Sequence, residues 1–177
     1  MPTLILLRHA KSSWDEPGLA DFDRPLAKRG RRAAPIAGAE MARRGWLPDL
    51  ALVSPAKRAR QTWKRAGKAL AAAAGAKQAP EVRFAEALYM AAPEAILALL
   101  HAVPDNTRSV VVVGHNPGLE ELAVLLAGPG SDAAALDSVR ARFPTAALAR
   151  LTFDGPWKDL APDGAALTDV ALVREVD

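Results

Sequence analysis

The chain has 177 residues, half of them hydrophobic, and a formal net charge of +3. This length predicts one domain over residues 1–177, because it supports a single well-buried core and leaves little room for a second. The absence of cysteine excludes disulfides, thiolate catalysis and cysteine-ligated metal centres, and the small, scattered positive charge does not favour nucleic-acid binding.

The first predicted element is a short apolar strand that ends at two polar residues. Residues 4–7 are too few for most helices, and they stop at Arg8 and His9. Such a run indicates a strand buried on both faces, which delivers its last side chains to the ligand-binding edge of an α/β sheet. Arg8 offers a fork of donors for phosphate or carboxylate oxygens, and His9 a nucleophilic nitrogen. Taken alone, the pair fits a capped strand end with an incidental histidine equally well.

A polar loop rich in Asp, Gly and Pro follows the first strand as far as Pro25. Because it leaves directly from the strand end, Lys11 and Ser12 are candidates for hydrogen bonds to an anion, or are simply solvated. Arg24, at the far end of the loop, is a further candidate for contact with a substrate. Trp14 is expected to pack against the body of the domain.

A helix is predicted from about Ala27 to Arg44, followed by a second buried strand over residues 49–53. Pro35 lies inside this helical segment. Because proline removes a backbone donor and clashes with the preceding turn, we expect a kink or a restart of the helix there. Gly45 is expected to end the helix.

The second predicted helix begins immediately after the second strand. Ser54 is predicted to be its N-cap and Pro55 its first helical residue. Arg58 then lies in the first turn, at the positive end of the helix dipole, where it is expected to point at the site. The alternative is a solvated basic face that Arg58 shares with Lys57 and Arg60.

The middle of the chain holds a weak strand over residues 82–84 and a helix that Pro93 opens. Glu86 follows the strand at its carboxyl end, which makes it a candidate proton donor. His101 closes the helix. There an imidazole complements the negative end of the helix dipole, so a structural role is favoured for it over a catalytic one.

The most strongly predicted strand is the β-branched run over residues 109–113. It ends at Gly114 and His115, which repeats the arrangement at the first strand, and Pro117 is expected to start a helix. An ambiguous stretch follows. Two final strands are predicted over residues 145–153 and 167–173, and the lack of a crossover helix between them predicts an antiparallel pair at one sheet edge.

These strands place their functional candidates together. In a parallel sheet with right-handed crossovers, all carboxyl ends lie on one side. Two arginines and two histidines would then form an electropositive pocket suited to a tetrahedral dianion, with Glu86 at its rim as a proton donor. No acidic cluster marks a place for a divalent metal, so we expect no metal and no other cofactor. The converging residues are Arg8, His9, Arg58 and His115.

Four motifs in this order resemble the histidine phosphatase superfamily, the phosphoglycerate-mutase-like group. They are Arg8-His9, Ser-Pro-Ala-Lys-Arg-Ala-Arg-Gln-Thr over residues 54–62, Glu86 before Leu88-Tyr89, and Gly-His-Asn-Pro over residues 114–117. Residues 6–14 and the compact length resemble the SixA-type phosphohistidine phosphatase branch. The resemblance implies a three-layer α/β/α fold with a mainly parallel central sheet and an antiparallel edge. Ala10 departs from the pattern, since glycine is more frequent at its position.

The resemblance also implies a mechanism. His9 would attack phosphorus to give a phosphohistidine intermediate that water hydrolyses. The oxygens of the phosphoryl group would be held by Arg8, Arg58 and His115, while Glu86 would protonate the leaving group. The long insertions that cover the site in sugar-phosphate mutases are absent, which predicts an open pocket.

Three functions remain open at this point. The first is a phosphohistidine phosphatase acting on a protein, and the second is a phosphatase for a small ester such as a sugar or nucleotide phosphate. The third, a non-catalytic phosphate-binding module, is disfavoured because every pocket residue is intact. No signal peptide precedes the first strand and no apolar run could span a bilayer. We therefore expect a cytoplasmic monomer that does not contact membranes.

Overall fold

The computed structural model describes residues 1–75 and 79–173, which form six strands and five α-helices. The strands are β1 (Thr3–Arg8), β2 (Leu50–Val53), β3 (Glu81–Phe84), β4 (Ser109–Gly114), β5 (Leu148–Thr152) and β6 (Ala166–Ala171). The helices are α1 (Lys28–Arg43), α2 (Lys57–Ala74), α3 (Pro93–His101), α4 (Gly118–Leu126) and α5 (Ala133–Ala141). Within these ranges no helix combines the length and the hydrophobicity needed to cross a membrane.

The strands form one sheet in the order β3-β2-β4-β1-β5-β6. Strands β3, β2, β4 and β1 run parallel, whereas β5 is antiparallel to β1 and β6 is antiparallel to β5. This confirms the predicted sheet, mainly parallel with an antiparallel edge. The register pairs Arg8 with Gly114, so the residues that follow β1 and β4 leave the same edge side by side.

Helices cover both faces of the sheet, and the two central strands are therefore buried on both sides. Ile5 and Val111 belong to the apolar cluster shared with α1 and α2, and Leu4 and Val110 to the cluster shared with α3, α4 and α5. Each such side chain contributes about 1.5–3 kcal/mol when fully buried. The predicted three-layer α/β/α fold, phosphoglycerate-mutase-like, is confirmed.

Two glycines of α1 fix how its surroundings pack. A Cβ at Gly38 would lie 2.0 Å from the carbonyl oxygen of Ala66, so glycine allows α1 to approach the backbone of α2. A Cβ at Gly30 would lie 2.1 Å from the carbonyl oxygen of Lys11, so the loop that follows β1 can lie directly against α1. That loop carries several residues of the candidate site.

The structure gives the helices bounds that the sequence left open or placed differently. Pro35 lies inside α1, which continues from Lys28 to Arg43 without a restart, so the predicted kink is the alternative that stays a prediction. Helix α2 begins at Lys57 with Ala56 as N-cap, so the prediction of Ser54 as an N-cap is wrong. The ambiguous stretch forms α5, whose N-cap Asp132 accepts a hydrogen bond from the backbone N–H of Ala135.

The sequence also predicts the surroundings of two ring side chains, Trp14 and His101. Trp14 is 70% exposed, so the expectation that it packs against the domain is wrong; the Arg24 guanidinium lies 3.4 Å from its ring centroid. His101 closes α3, and its Nε2 donates to the carbonyl oxygen of Leu160 over 2.7 Å. This bond supports the structural role predicted for His101.

Candidate active site

The two histidines meet at the carboxyl edge of the sheet. His9 follows β1 and His115 follows β4, and these strands are parallel neighbours. The ring centroids lie 5.2 Å apart with an interplanar angle of 55°. Both side chains are buried, with His9 7% and His115 3% exposed. The carboxyl ends of the two strands therefore lie on one side of the sheet, as the sequence predicts.

The ring of His9 is fixed by its own backbone and by α2. Its Nδ1 donates to the carbonyl oxygen of Ala10 over 2.7 Å, which leaves Nε2 with the free electron pair of a neutral imidazole. The N–H of Ala10 donates to Oγ1 of Thr62, whose hydroxyl donates to the carbonyl oxygen of Arg58. Ala10 itself is fully buried in a small apolar cluster, so the backbone has room for its methyl group.

Burial keeps both imidazoles neutral. It lowers the pKa of His9 to about 3, the hydrogen bond to Ala10 opposes this shift, and the positive charges of Arg58 and Arg8 add to it. The pKa of His115 falls to about 4 for the same reason, with Arg58 as the largest charge contribution. At neutral pH, Nε2 of His9 is therefore available as a nucleophile.

Ser54 holds the second histidine. Its Oγ lies 2.7 Å from Nε2 of His115 and accepts a bond from the N–H of Ala56 at 3.3 Å. The sequence analysis missed this role because the Ser-Pro pattern resembles a helix N-cap. The available signal was position: Ser54 follows β2 directly, as His115 follows β4, so both lie at the same edge.

The two arginines enter the pocket from β1 and α2. Arg58 is 2% exposed, and its Nη1 and Nη2 donate to the carbonyl oxygen and to Oδ2 of Asp21 at 2.7 and 2.9 Å. Arg8 donates from Nη1 to the carbonyl oxygen of Phe143 at 3.1 Å. Burial lowers the pKa of Arg8, an effect that nearby Glu120 opposes. Both guanidiniums stay charged at neutral pH.

Three buried side-chain nitrogen atoms in the described part of the chain have no hydrogen-bond partner. Within residues 1–75 and 79–173, the buried side-chain nitrogen and oxygen atoms in this state are Nε of Arg8, Nε of Arg58 and Nδ1 of His115. Leaving a buried polar group unpaired costs about 1–3 kcal/mol, so native proteins rarely do so without a function. All three belong to residues predicted to hold a phosphoryl group, whose oxygens would supply the missing partners.

Asp21 and Tyr89 contact the pocket residues in a way that the sequence did not predict. The carboxylate of Asp21 accepts bonds from Arg58 and from the hydroxyl of Tyr89, and the Tyr89 ring stands edge-on to His115 with centroids 5.6 Å apart. Burial alone would raise the pKa of Asp21, but the hydrogen bonds from Tyr89 and Arg58 hold it at about 2. Asp21 and Tyr89 therefore line the pocket beside Arg58 and His115, and the expectation of an open pocket stays a prediction.

Comparison with known proteins agrees with this geometry. A model of the histidine phosphatase superfamily (branch 1) matches residues 4–91. An uncharacterized protein of Mycobacterium tuberculosis is 41% identical over 175 residues, which span 95% of this chain and 100% of that protein. The chain belongs to the histidine phosphatase superfamily.

Two solved structures are similar to this chain, and both carry the name SixA, phosphohistidine phosphatase. The protein from Nakamurella multipartitia is 34% identical with a TM-score of 0.81, over 97% of this chain and 96% of that one. The protein from Agrobacterium tumefaciens is 32% identical with a TM-score of 0.75, over 97% and 99% of the two chains. The likeness thus extends across the whole fold.

Of the remaining predicted residues, the described part of the structure connects Arg24 with the pocket, through Asp21, but not the side chains of Glu86 and Lys11. Glu86 begins a 3₁₀ turn after β3 and is exposed; no hydrogen bond or ion pair within the described residues joins its carboxylate to the pocket. Arg24 is buried and donates to Oγ of Ser12 at 2.9 Å and to Oδ1 of Asp21 at 3.2 Å. Lys11 is half-buried, and its carbonyl oxygen accepts from Ala27. No group of three or more metal-ligating side chains lies in the described ranges.

We expect the free energy of unfolding to fall as the pH drops below about 6.5. Below this pH, His9 and His115 bind protons in the unfolded chain. They stay unprotonated in the folded protein, where their pKa values are about 3 and about 4. This contribution to stability is complete above the unfolded pKa and is lost progressively towards the folded values. Urea unfolding at about pH 7 and about pH 5 measures it. His9→Gln should weaken the pH dependence, whereas His101→Gln should retain it; an unchanged dependence in His9→Gln would contradict the argument.

Proposed function

We propose that this protein is a phosphatase that forms a covalent phosphohistidine intermediate on His9 and that its substrate is phosphohistidine on a protein. The observation that carries the proposal is the group of three unpartnered buried nitrogens around a neutral His9. A phosphoryl group supplies oxygens to all three nitrogens and phosphorus to the nucleophile. We expect no metal or other cofactor to take part.

In the first step, Nε2 of His9 attacks phosphorus while the bond from phosphorus to the leaving group breaks. In the second step, water attacks the phosphohistidine, the bond from phosphorus to Nε2 breaks, and inorganic phosphate leaves. Charge on the transferring oxygens is opposed by Arg8, Arg58 and His115. If the Ser54 hydroxyl donates to Nε2 of His115, Nδ1 of that ring carries a hydrogen for the phosphoryl group.

The support for a phosphohistidine substrate comes from the relatives. Two SixA-named structures resemble this chain over almost its full length at more than 30% identity. A small phosphate ester, such as a sugar or nucleotide phosphate, is the competing substrate class, since the same pocket chemistry serves any phosphoryl group.

A substrate comparison tests the proposal. The values of kcat/KM are measured for a protein phosphorylated on histidine, a sugar phosphate and a nucleoside monophosphate. We expect the phosphohistidine protein to give the highest value. A higher value for either small ester would replace the substrate assignment. Binding of inorganic phosphate without turnover of any substrate would make the protein a phosphate-binding module.

Glu86→Gln tests the general acid. Expulsion of an alkoxide needs a proton, and a positioned acid contributes about 10²–10⁴-fold. We therefore expect Glu86→Gln to slow alkyl phosphates by about that factor and phosphohistidine only slightly, because a protonated imidazole leaves without help. Glu94→Gln, an exposed carboxylate at the start of α3, is the matched control. An equal effect on both substrate types would remove Glu86 from the mechanism and leave His9 as nucleophile.

A further inference from the structure

The loop after β1 places the negative charge of Asp21 beside Arg58, one of the proposed phosphate-binding residues. Both terminal nitrogens of Arg58 are occupied by Asp21, Nη1 by the backbone carbonyl oxygen and Nη2 by the carboxylate. Only Nε of Arg58 is buried without a partner. A phosphoryl group that enters the pocket therefore meets a guanidinium that already has an anionic partner.

The carboxylate of Asp21 is held in this position from three sides. Arg58 and the Tyr89 hydroxyl donate to Oδ2, and Nε of Arg24 donates to Oδ1 at 3.2 Å. Arg24 is itself fixed, because it is buried, bonded to Ser12 and stacked on Trp14. The side chain of Asp21 remains 46% exposed, so it faces solvent at the pocket mouth as well as Arg58.

We propose that Asp21 is a specificity-determining residue that selects phosphoryl groups carried on neutral or cationic groups and disfavours those with a second negative charge nearby. The selection rests on the proposed function, since it concerns the substrates of the same pocket. Repulsion of the wrong ligand is an established route to specificity, and like charges a few ångströms apart at a half-solvated site repel measurably. The same charge competes with phosphate oxygens for Arg58 and weakens binding of the product.

Inorganic phosphate is the first probe, with binding measured by titration calorimetry. We expect Asp21→Asn to bind phosphate about two- to fivefold more tightly than the wild type, the range for a partly exposed charge pair. Asp23→Asn is the matched control, because Asp23 lies in the same 3₁₀ turn, is exposed, and has no hydrogen bond or ion pair with a pocket side chain in the described ranges. Weaker phosphate binding by Asp21→Asn would overturn the proposal, since Asp21 would then only position Arg58.

A matched ligand pair tests the selectivity. Glycerol 3-phosphate and 3-phosphoglycerate differ at the carbon where one has a hydroxymethyl group and the other a carboxylate. Measured by displacement of phosphate, the wild type should prefer the glycerol compound. Asp21→Asn should reduce this preference, while Asp21→Glu and Asp23→Asn should keep it. An equal preference in Asp21→Asn and the wild type would overturn the proposal. These are binding measurements, so a lack of turnover would refute the proposed function without deciding this test.

Discussion

His9→Ala is expected to reduce phosphate release from every substrate by about 10³-fold or more, because removing a nucleophile removes the covalent step itself. The ring is buried, neutral and oriented by its bond to Ala10, which fits it for this role. Steady-state release of phosphate from a phosphohistidine protein and from an activated phenyl phosphate measures the effect. Circular dichroism should show a folded protein, since the substitution lies beyond the end of β1.

His101→Ala is the control for loss of an imidazole. Its ring donates to the carbonyl oxygen of Leu160, away from the pocket, and activity should remain close to that of the wild type. If His9→Ala were fully active, the assignment of His9 as nucleophile would be wrong whatever the substrate.

Arg58→Ala should lower kcat/KM by about 10²–10³-fold, the range seen when a donor to a charged transition state is removed. The guanidinium is expected to bind the phosphoryl oxygens in both the ground state and the transition state, so phosphate affinity and turnover should fall together. Arg58→Lys should not restore activity, because a lysine ammonium lacks the planar fork of donors. Phosphate titration and steady-state kinetics on the same preparations measure both quantities.

Arg60→Ala is the matched control for Arg58→Ala. Arg60 lies two residues further along α2, is exposed and donates from Nε to the carbonyl oxygen of Pro55. The Arg60→Ala variant should bind phosphate and turn over substrate as the wild type does. Unchanged phosphate affinity in Arg58→Ala would mean that the buried guanidinium serves only to hold the loop that carries Asp21.

Much of the fold was predictable because apolar patterning is local. The strands at residues 3–8 and 109–114 each contain four consecutive hydrophobic residues, and burial on both faces requires that pattern. Helix α5 was not predicted. Its sequence combines a run of alanines with Asp, Ser and Arg and has only a weak apolar stripe, so packing against the sheet and an Asp132 cap determine it.

The candidate site likewise has residues that could be predicted from the sequence and residues that could not. Arg8, His9, Arg58 and His115 could be predicted from sequence because each lies at the end of a strand or in the first turn of the helix after one. The parallel sheet then brings these strand ends to one edge. The contacts that Ser54, Asp21 and Tyr89 make in the site could not be predicted from the sequence. Asp21 reaches Arg58 only because the loop after β1 folds back over the pocket, and its path depends on packing against α1 rather than on any local pattern.

Rapid quenching during turnover tests the central claim most directly. A protein phosphorylated on histidine, or an activated phenyl phosphate, is mixed with enzyme for milliseconds, quenched in alkali and digested, and the phosphorylated peptide is located by mass spectrometry. The account predicts acid-labile, base-stable phosphate on His9, formed and lost at rates that match turnover and absent from His9→Ala. Phosphate on another residue, or turnover without any phosphorylated enzyme, would contradict it.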